Sequence, residues 1–141
     1  MEEKKKTRIA IQVVVDAPKE KVWKLWNNPN DIMGWYKASD DWDTPKASNN
    51  LEVNGKFSYR MESVDGKFGF DFSGTYTSIK AGKHIDYTID DGRRVSIQFI
   101  EVDGKTEIVE AFEAEDIHSA TMQRDGWQAI LNNFKKYVES H

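Results

Sequence analysis

Ile85-Asp86-Tyr87-Thr88-Ile89-Asp90-Asp91-Gly92-Arg93-Arg94-Val95-Ser96-Ile97-Gln98-Phe99 alternates apolar and polar side chains on both sides of one Asp-Gly pair. Apolar residues at every second position have the period of a strand with one buried face. Asp-Gly supplies the positive φ that a tight reversal demands, so the stretch reads as a β-hairpin. Four similar pairs surround it, Asn54-Gly55, Asp65-Gly66, Ala81-Gly82 and Asp103-Gly104. Together they divide the second half of the chain into six consecutive antiparallel strands, expected at about 51–53, 56–64, 67–79, 83–90, 93–101 and 105–113. One face carries Phe57, Tyr59, Met61, Phe68, Phe70, Phe72, Tyr76, Ile85, Tyr87, Ile89, Val95, Ile97, Phe99, Ile108 and Phe112, and the other is polar. A sheet with one side in water has this composition. Gly69 and Gly74 interrupt the longest strand and are expected to mark a bulge or bend that curls the sheet.

Upstream of the hairpins, Ile9, Ile11, Val13 and Val15 alternate as a first strand. Pro18 opens a helix with Val22, Leu25 and Trp26 on one face, capped by Asp16 or Ala17, and Asn28-Pro29 starts a second, shorter helix through Asp31, Ile32 and Met33. Residues 34–47, with Trp35, Tyr36 and Trp42 among Asp40, Asp41, Asp43 and Pro45, lack clean periodicity and read as an aromatic loop. Downstream of the hairpins the period becomes helical from about Ser119 to Ser140, with Trp127, Ile130, Leu131, Phe134 and Val138 on one stripe. Mid-helix Gly126 is expected to serve close packing or a kink.

Strand, helix, helix, six strands, long helix is the order of a helix-grip fold of the α+β class. The expected architecture is a seven-stranded curved antiparallel sheet with two short helices after strand 1. A long C-terminal helix packs on its concave face. The residues also resemble a family. The stretches Asp16-Ala17-Pro18-Lys19-Glu20-Lys21-Val22-Trp23, Leu51-Glu52-Val53-Asn54-Gly55-Lys56-Phe57, Gly74-Thr75-Tyr76 and Gly126-Trp127-Gln128-Ala129-Ile130-Leu131 resemble the activator-of-Hsp90-ATPase homologue 1-like group of the START/Bet v 1-like (SRPBCC) superfamily. The resemblance spans nearly the whole chain. It implies a cavity between sheet and terminal helix, and it brings in two further functions of the group and superfamily, Hsp90 co-chaperone action and polyketide cyclisation.

The 141 residues are expected to form one domain, with residues 1–7 as a disordered tail. There are no cysteines, which excludes disulfides and thiolate chemistry. The N-terminus is charged and no apolar run approaches the ~18 residues of a membrane span, so the expectation is a cytoplasmic protein without a membrane span. Twenty Lys and Arg against 24 Asp and Glu give a net charge of −4, without the basic face that nucleic acid requires. Aromatic residues make up 12 % of the chain, five of them tryptophans, which suits the walls of an apolar pocket as well as a packed core.

Catalytic and metal signals are sparse. His84, His118 and His141 share no ligand spacing, and Asp40-Asp41-Trp42-Asp43 lacks the alternation and glycine of a calcium loop, so neither a metal nor another cofactor is expected. Glu110 shares the parity of Ile108 and Phe112 and therefore points inward. There it either pairs with Arg60, Arg93 or a tyrosine hydroxyl or takes a raised pKa suited to proton transfer, unless a bulge between Val109 and Ala111 turns it outward. The candidate ligand-binding set is Trp35, Trp42, Tyr59, Met61, Phe70, Phe72, Tyr87, Phe99, Glu110, Gln123 and Trp127, each of which also fits ordinary core.

Three functions follow as expectations. The leading one is binding of an apolar small molecule between sheet and helix. A chaperone partner is the second, although the chain has no room for the separate N-terminal domain of the Hsp90 activators. The third is a cyclase-like enzyme with Glu110 as acid or base and Tyr59 or Tyr87 orienting substrate. Monomer and homodimer both remain open, an exposed Trp35 and Tyr36 being the surface a dimer would use.

Overall fold

A computed structural model describes residues 7–141. The expected tail 1–7 lies outside the described residues except for Thr7, whose carbonyl accepts a hydrogen bond from Ala114 N at 2.7 Å. Strand β1 (Arg8–Val15) leads into helices α1 (Lys19–Asn27) and α2 (Pro29–Trp35). Strands β2 (Trp42–Asn49), β3 (Lys56–Ser63), β4 (Gly69–Lys80), β5 (His84–Ile89), β6 (Arg94–Val102) and β7 (Lys105–Glu113) follow, and helix α3 (Ala120–Glu139) ends the chain. The seven strands form one antiparallel sheet in the order β1-β7-β6-β5-β4-β3-β2, a meander whose last strand is joined by the first.

The glycine pairs act as the sequence predicts. At the β6–β7 reversal both Asp103 (φ 51°) and Gly104 (φ 79°) adopt positive φ, which sets the register Val102 opposite Lys105. The inward residues of the hairpins form the core, with Tyr87, Val95, Ile97, Phe99, Ile108 and Phe112 all buried.

Three local expectations are corrected. Residues 42–49 are an edge strand rather than the end of a loop, and residues 51–53 belong to the turn that follows it. The alternation is hidden because β2 has a polar outer edge and a register shift between Asp43 and Lys46 that accommodates Pro45. The irregularity in β4 falls between Tyr76 and Ser78, not at a glycine. Gly74 instead gives clearance, since a Cβ there would stand 2.7 Å from Thr88 O and 2.8 Å from the Phe57 ring.

Ser119 caps α3 by accepting from Met122 N at 3.1 Å, and Asn28 caps α2 by accepting from Asn30 N at 3.0 Å. Pro18 itself is the N-cap of α1, with no side-chain hydrogen bond. Leu131, Phe134 and Val138 bury the apolar stripe of α3. Phe134 meets Trp26 of α1 at 4.9 Å and Trp35 of α2 at 4.6 Å between ring centroids, which ties the three helices together. Lys135 Nζ donates to Val14 O of β1 and Asn133 Nδ2 to Trp35 O, each at 2.7 Å.

Candidate functional site

Inside the half-barrel, β3 to β7 each send a side chain toward one enclosed chamber: Phe57 and Tyr59, Tyr76, Ile85 and Tyr87, Ile97, and Glu110 in that order. Trp26, Trp35 and Tyr36 close it from the helical side. Its volume is about 20 Å³, enough for one water-sized molecule. The cavity expected between sheet and C-terminal helix corresponds here to a small space closed by α1 and α2 rather than by α3, because aromatic rings occupy much of the concavity. The Trp26–Trp35, Phe57–Tyr87 and Tyr36–Tyr59 centroids are only 4.8 to 4.9 Å apart.

Glu110 does point inward. It lies in regular β7 pairing between Ile11 and Ile97, with no bulge, and is 6 % exposed. Neither arginine reaches it. Arg60 is held outside the sheet by Asp71 at 3.6 Å and Glu62 at 3.7 Å, and Arg93 by Asp91 at 2.9 Å. Among the described residues its carboxyl has no hydrogen-bond partner, and its oxygens open onto the chamber. Burial raises its pKa from the ordinary 4.5 to about 8.

The tyrosines share that environment. Burial first, and the nearby Glu110 charge among the further causes, hold the Tyr36 and Tyr87 hydroxyls well above their usual 10. Tyr76 donates to Asn49 Oδ1, and Tyr59 interacts with the Tyr76 hydroxyl. The Tyr36 and Tyr87 hydroxyls have no hydrogen-bond partner among the described residues. No Lys, Arg or His lines the chamber.

Of the eleven candidate ligand residues, Trp35, Tyr59, Tyr87 and Glu110 meet at this chamber. Phe72 stands next to it, stacked on Tyr36 at 5.8 Å, and both are half-buried. Trp127 lies flat on Phe112 at 4.0 Å. Phe99 is packed against Trp23 and Trp26, and Met61 Sδ accepts from Thr44. Gln123 is buried but engaged by the segment before α3, accepting from Glu115 N and donating to the carbonyls of Glu115 and His118, and it does not line the chamber. Phe70 is 49 % exposed against Trp42, and Phe68 is 68 % exposed, because both extend past the end of the covered concavity.

Trp35 is 1 % exposed, so it offers no surface to a dimer. Tyr36, Tyr76, Phe57, Trp26, Ile85 and Ile97 complete the wall. The inward parity of Phe57, Tyr76, Ile85 and Ile97 was the signal for four of them, whereas Tyr36 sat in what read as a loop. Among the described residues no group of three or more His, Cys, Asp or Glu could hold a metal.

A separate surface concavity, an open groove of about 800 Å³, lies outside β2 and β3 between Met33 and Asp71. It is shallow, and its Arg60, Glu62 and Asp71 pair with one another.

A family model described as Activator of Hsp90 ATPase homolog 1-like protein matches residues 16–139. The chain belongs to this family. Among solved structures, the family member resembles an Activator of Hsp90 ATPase homolog 1-like protein from Aeromonas hydrophila at 42 % identity and a TM-score of 0.90, over 95 % of this chain and 93 % of that one. A protein from Cytophaga hutchinsonii is 46 % identical with a TM-score of 0.83, over 94 % and 92 % of the two chains. A protein from Chromobacterium violaceum at 20 % identity, TM-score 0.84, over 94 % and 98 % of the two chains, shares the fold. No curated protein matches the chain. Among the described residues no helix is long and apolar enough to cross a membrane.

Proposed function

We propose that this family member binds a small apolar or aromatic molecule inside the half-barrel, at the chamber bounded by Glu110, Tyr36, Tyr59 and Tyr87. One observation carries the reading, a buried carboxyl without a partner that faces an aromatic-walled space. A carboxyl in apolar surroundings costs stability unless its oxygens have a partner, and here they are turned to a space of about 20 Å³ rather than to a side chain.

At about 20 Å³ the chamber admits such a molecule only when a wall moves. The stacked, half-buried Tyr36 and Phe72 are the pair closest to solvent, and rotation of both side chains widens the space without unfolding a strand. A guest that buries ~300 Å² of apolar surface gains ~7 kcal/mol at ~25 cal/mol/Å², and part of this offsets the opening and ordering costs.

Native mass spectrometry of freshly purified protein, joined to a tryptophan-fluorescence and thermal-shift screen of aromatic metabolites, lipids and sterols, tests the reading. Trp26 and Trp35 line the chamber, so saturable quenching with a higher melting temperature is expected. No adduct, no quenching and no shift across the screen would refute it.

The position of Glu110 favours a second reading, acid–base catalysis. A carboxyl with a pKa of about 8 exchanges protons near neutral pH, which suits a general acid or base. Glu110→Gln abolishes turnover while retaining binding under that reading, and unchanged turnover contradicts it.

A further inference from the structure

The chemistry of the chamber also says what kind of molecule it takes, an inference that rests on the binding reading above. Five polar side chains reach the chamber, Glu110, Tyr36, Tyr59, Tyr76 and Tyr87. Tyr76 donates to Asn49, and Tyr59 is engaged with Tyr76. Glu110, Tyr36 and Tyr87 remain, three groups around one small space without a hydrogen-bond partner among the described residues.

The groups facing Glu110 are otherwise neutral. Trp26 of α1 and Trp35 of α2 carry no titratable group, Ile11 of β1 and Ile97 of β6 flank it in the sheet, and the titratable groups from β3, β4 and β5 are the tyrosines Tyr59, Tyr76 and Tyr87, beside apolar Phe57 and Ile85. Burial therefore keeps the carboxyl protonated at neutral pH, by about ten to one. A protonated carboxyl donates, as do tyrosine hydroxyls. With no Lys or Arg present, a full negative charge on a guest would find no counter-ion.

We propose that the chamber anchors the carbonyl oxygen of an otherwise apolar or aromatic molecule, a ketone or aldehyde, through hydrogen bonds donated by Glu110, Tyr36 and Tyr87. The main rival occupant is an organic cation, because aromatic faces beside a carboxylate also attract positive charge. The two differ in sign with pH. A carbonyl needs the protonated carboxyl, so its affinity is level below about pH 8 and falls above it. A cation needs the carboxylate, so its affinity climbs as pH rises toward that value.

Three probes separate these outcomes by tryptophan fluorescence from pH 6 to pH 9.5: acetophenone, its isostere 2-phenylpropene with CH₂ in place of the oxygen, and benzyltrimethylammonium. Acetophenone is expected to bind about tenfold more tightly than 2-phenylpropene at pH 6, the ratio for one net hydrogen bond. The preference shrinks above pH 8 in the wild-type protein. It persists at every pH in Glu110→Gln, whose amide still donates, and it weakens in Tyr87→Phe, which deletes one donor and keeps the ring.

Equal binding of ketone and alkene overturns the oxygen anchor and leaves the binding reading standing. Preferential binding of the ammonium probe, strengthening with pH, overturns it in favour of a cation site. Failure of all three probes overturns this inference, and the wider screen then decides the binding reading separately.

Discussion

Glu110 and Glu113 lie three residues apart on β7, both are buried, and they have opposite chemistry. Glu113 accepts from Arg94 N at 2.6 Å and pairs with the Arg94 guanidinium at 3.2 Å, whereas Glu110 faces aromatic rings. For Glu110 the folded state prefers the proton more strongly than the unfolded chain does. Its contribution to stability is thus complete below the unfolded value of 4.5, declines as pH rises, and is lost once pH passes about 8. The loss is on the order of 5 kcal/mol, large against the 5–15 kcal/mol typical of a domain. Glu110→Gln is therefore expected to melt several degrees above wild type at pH 9 and to differ little at pH 5, as followed by circular dichroism. A wild-type melting curve that does not move between these pH values contradicts the assignment.

Gly74 gives a second prediction at this scale. The Cβ of Gly74→Ala would press on Thr88 O, which is backbone and cannot turn aside, so a loss of about 1–3 kcal/mol is expected in urea denaturation. The direction of Glu110 was legible from parity alone. Its lack of a partner was not, since Arg60 and Arg93 were equally plausible until their outward pairings were visible.

Helix α3 shows what an element adds to its residues. Gly126 reads as a packing or kink residue, yet nothing lies within 4 Å of a Cβ placed there, and the helix runs unbroken from Ala120 to Glu139. Gly126→Ala is expected to raise stability by about 1 kcal/mol through helix propensity alone, measured as a shifted urea midpoint with unchanged slope. Phe134→Ala acts oppositely, removing the ring shared by Trp26 and Trp35 at a cost of about 3–5 kcal/mol. Strand signals were legible wherever one face is apolar, as in β5, β6 and β7. They failed at β2, whose burial alternates only weakly around Pro45. An edge strand pairs on one side and is written with polar residues that resemble a loop.

At the scale of the molecule, the sheet curls around α3 and the interior is filled by rings rather than left hollow. Alternation and turn chemistry specify the fold, because the inward positions of the hairpins are mostly apolar, Glu110 being an exception, and each strand reversal from β2 to β7 has its glycine. They do not specify how far aromatic side chains fill a concavity, which depends on rotamers chosen across elements distant in sequence, such as Tyr36 against Phe72 and Trp127 against Phe112. At the centre of the described residues lies a small chamber with the Glu110 carboxyl on its wall.

The carboxyl ¹³C resonance of Glu110, assigned by its disappearance in Glu110→Gln and followed by NMR from pH 5 to pH 10 with and without acetophenone, tests this most directly. A midpoint near 8 that moves upward when the chamber is occupied is the predicted result. A midpoint in the ordinary carboxylate range, unmoved by the ketone, would contradict the account.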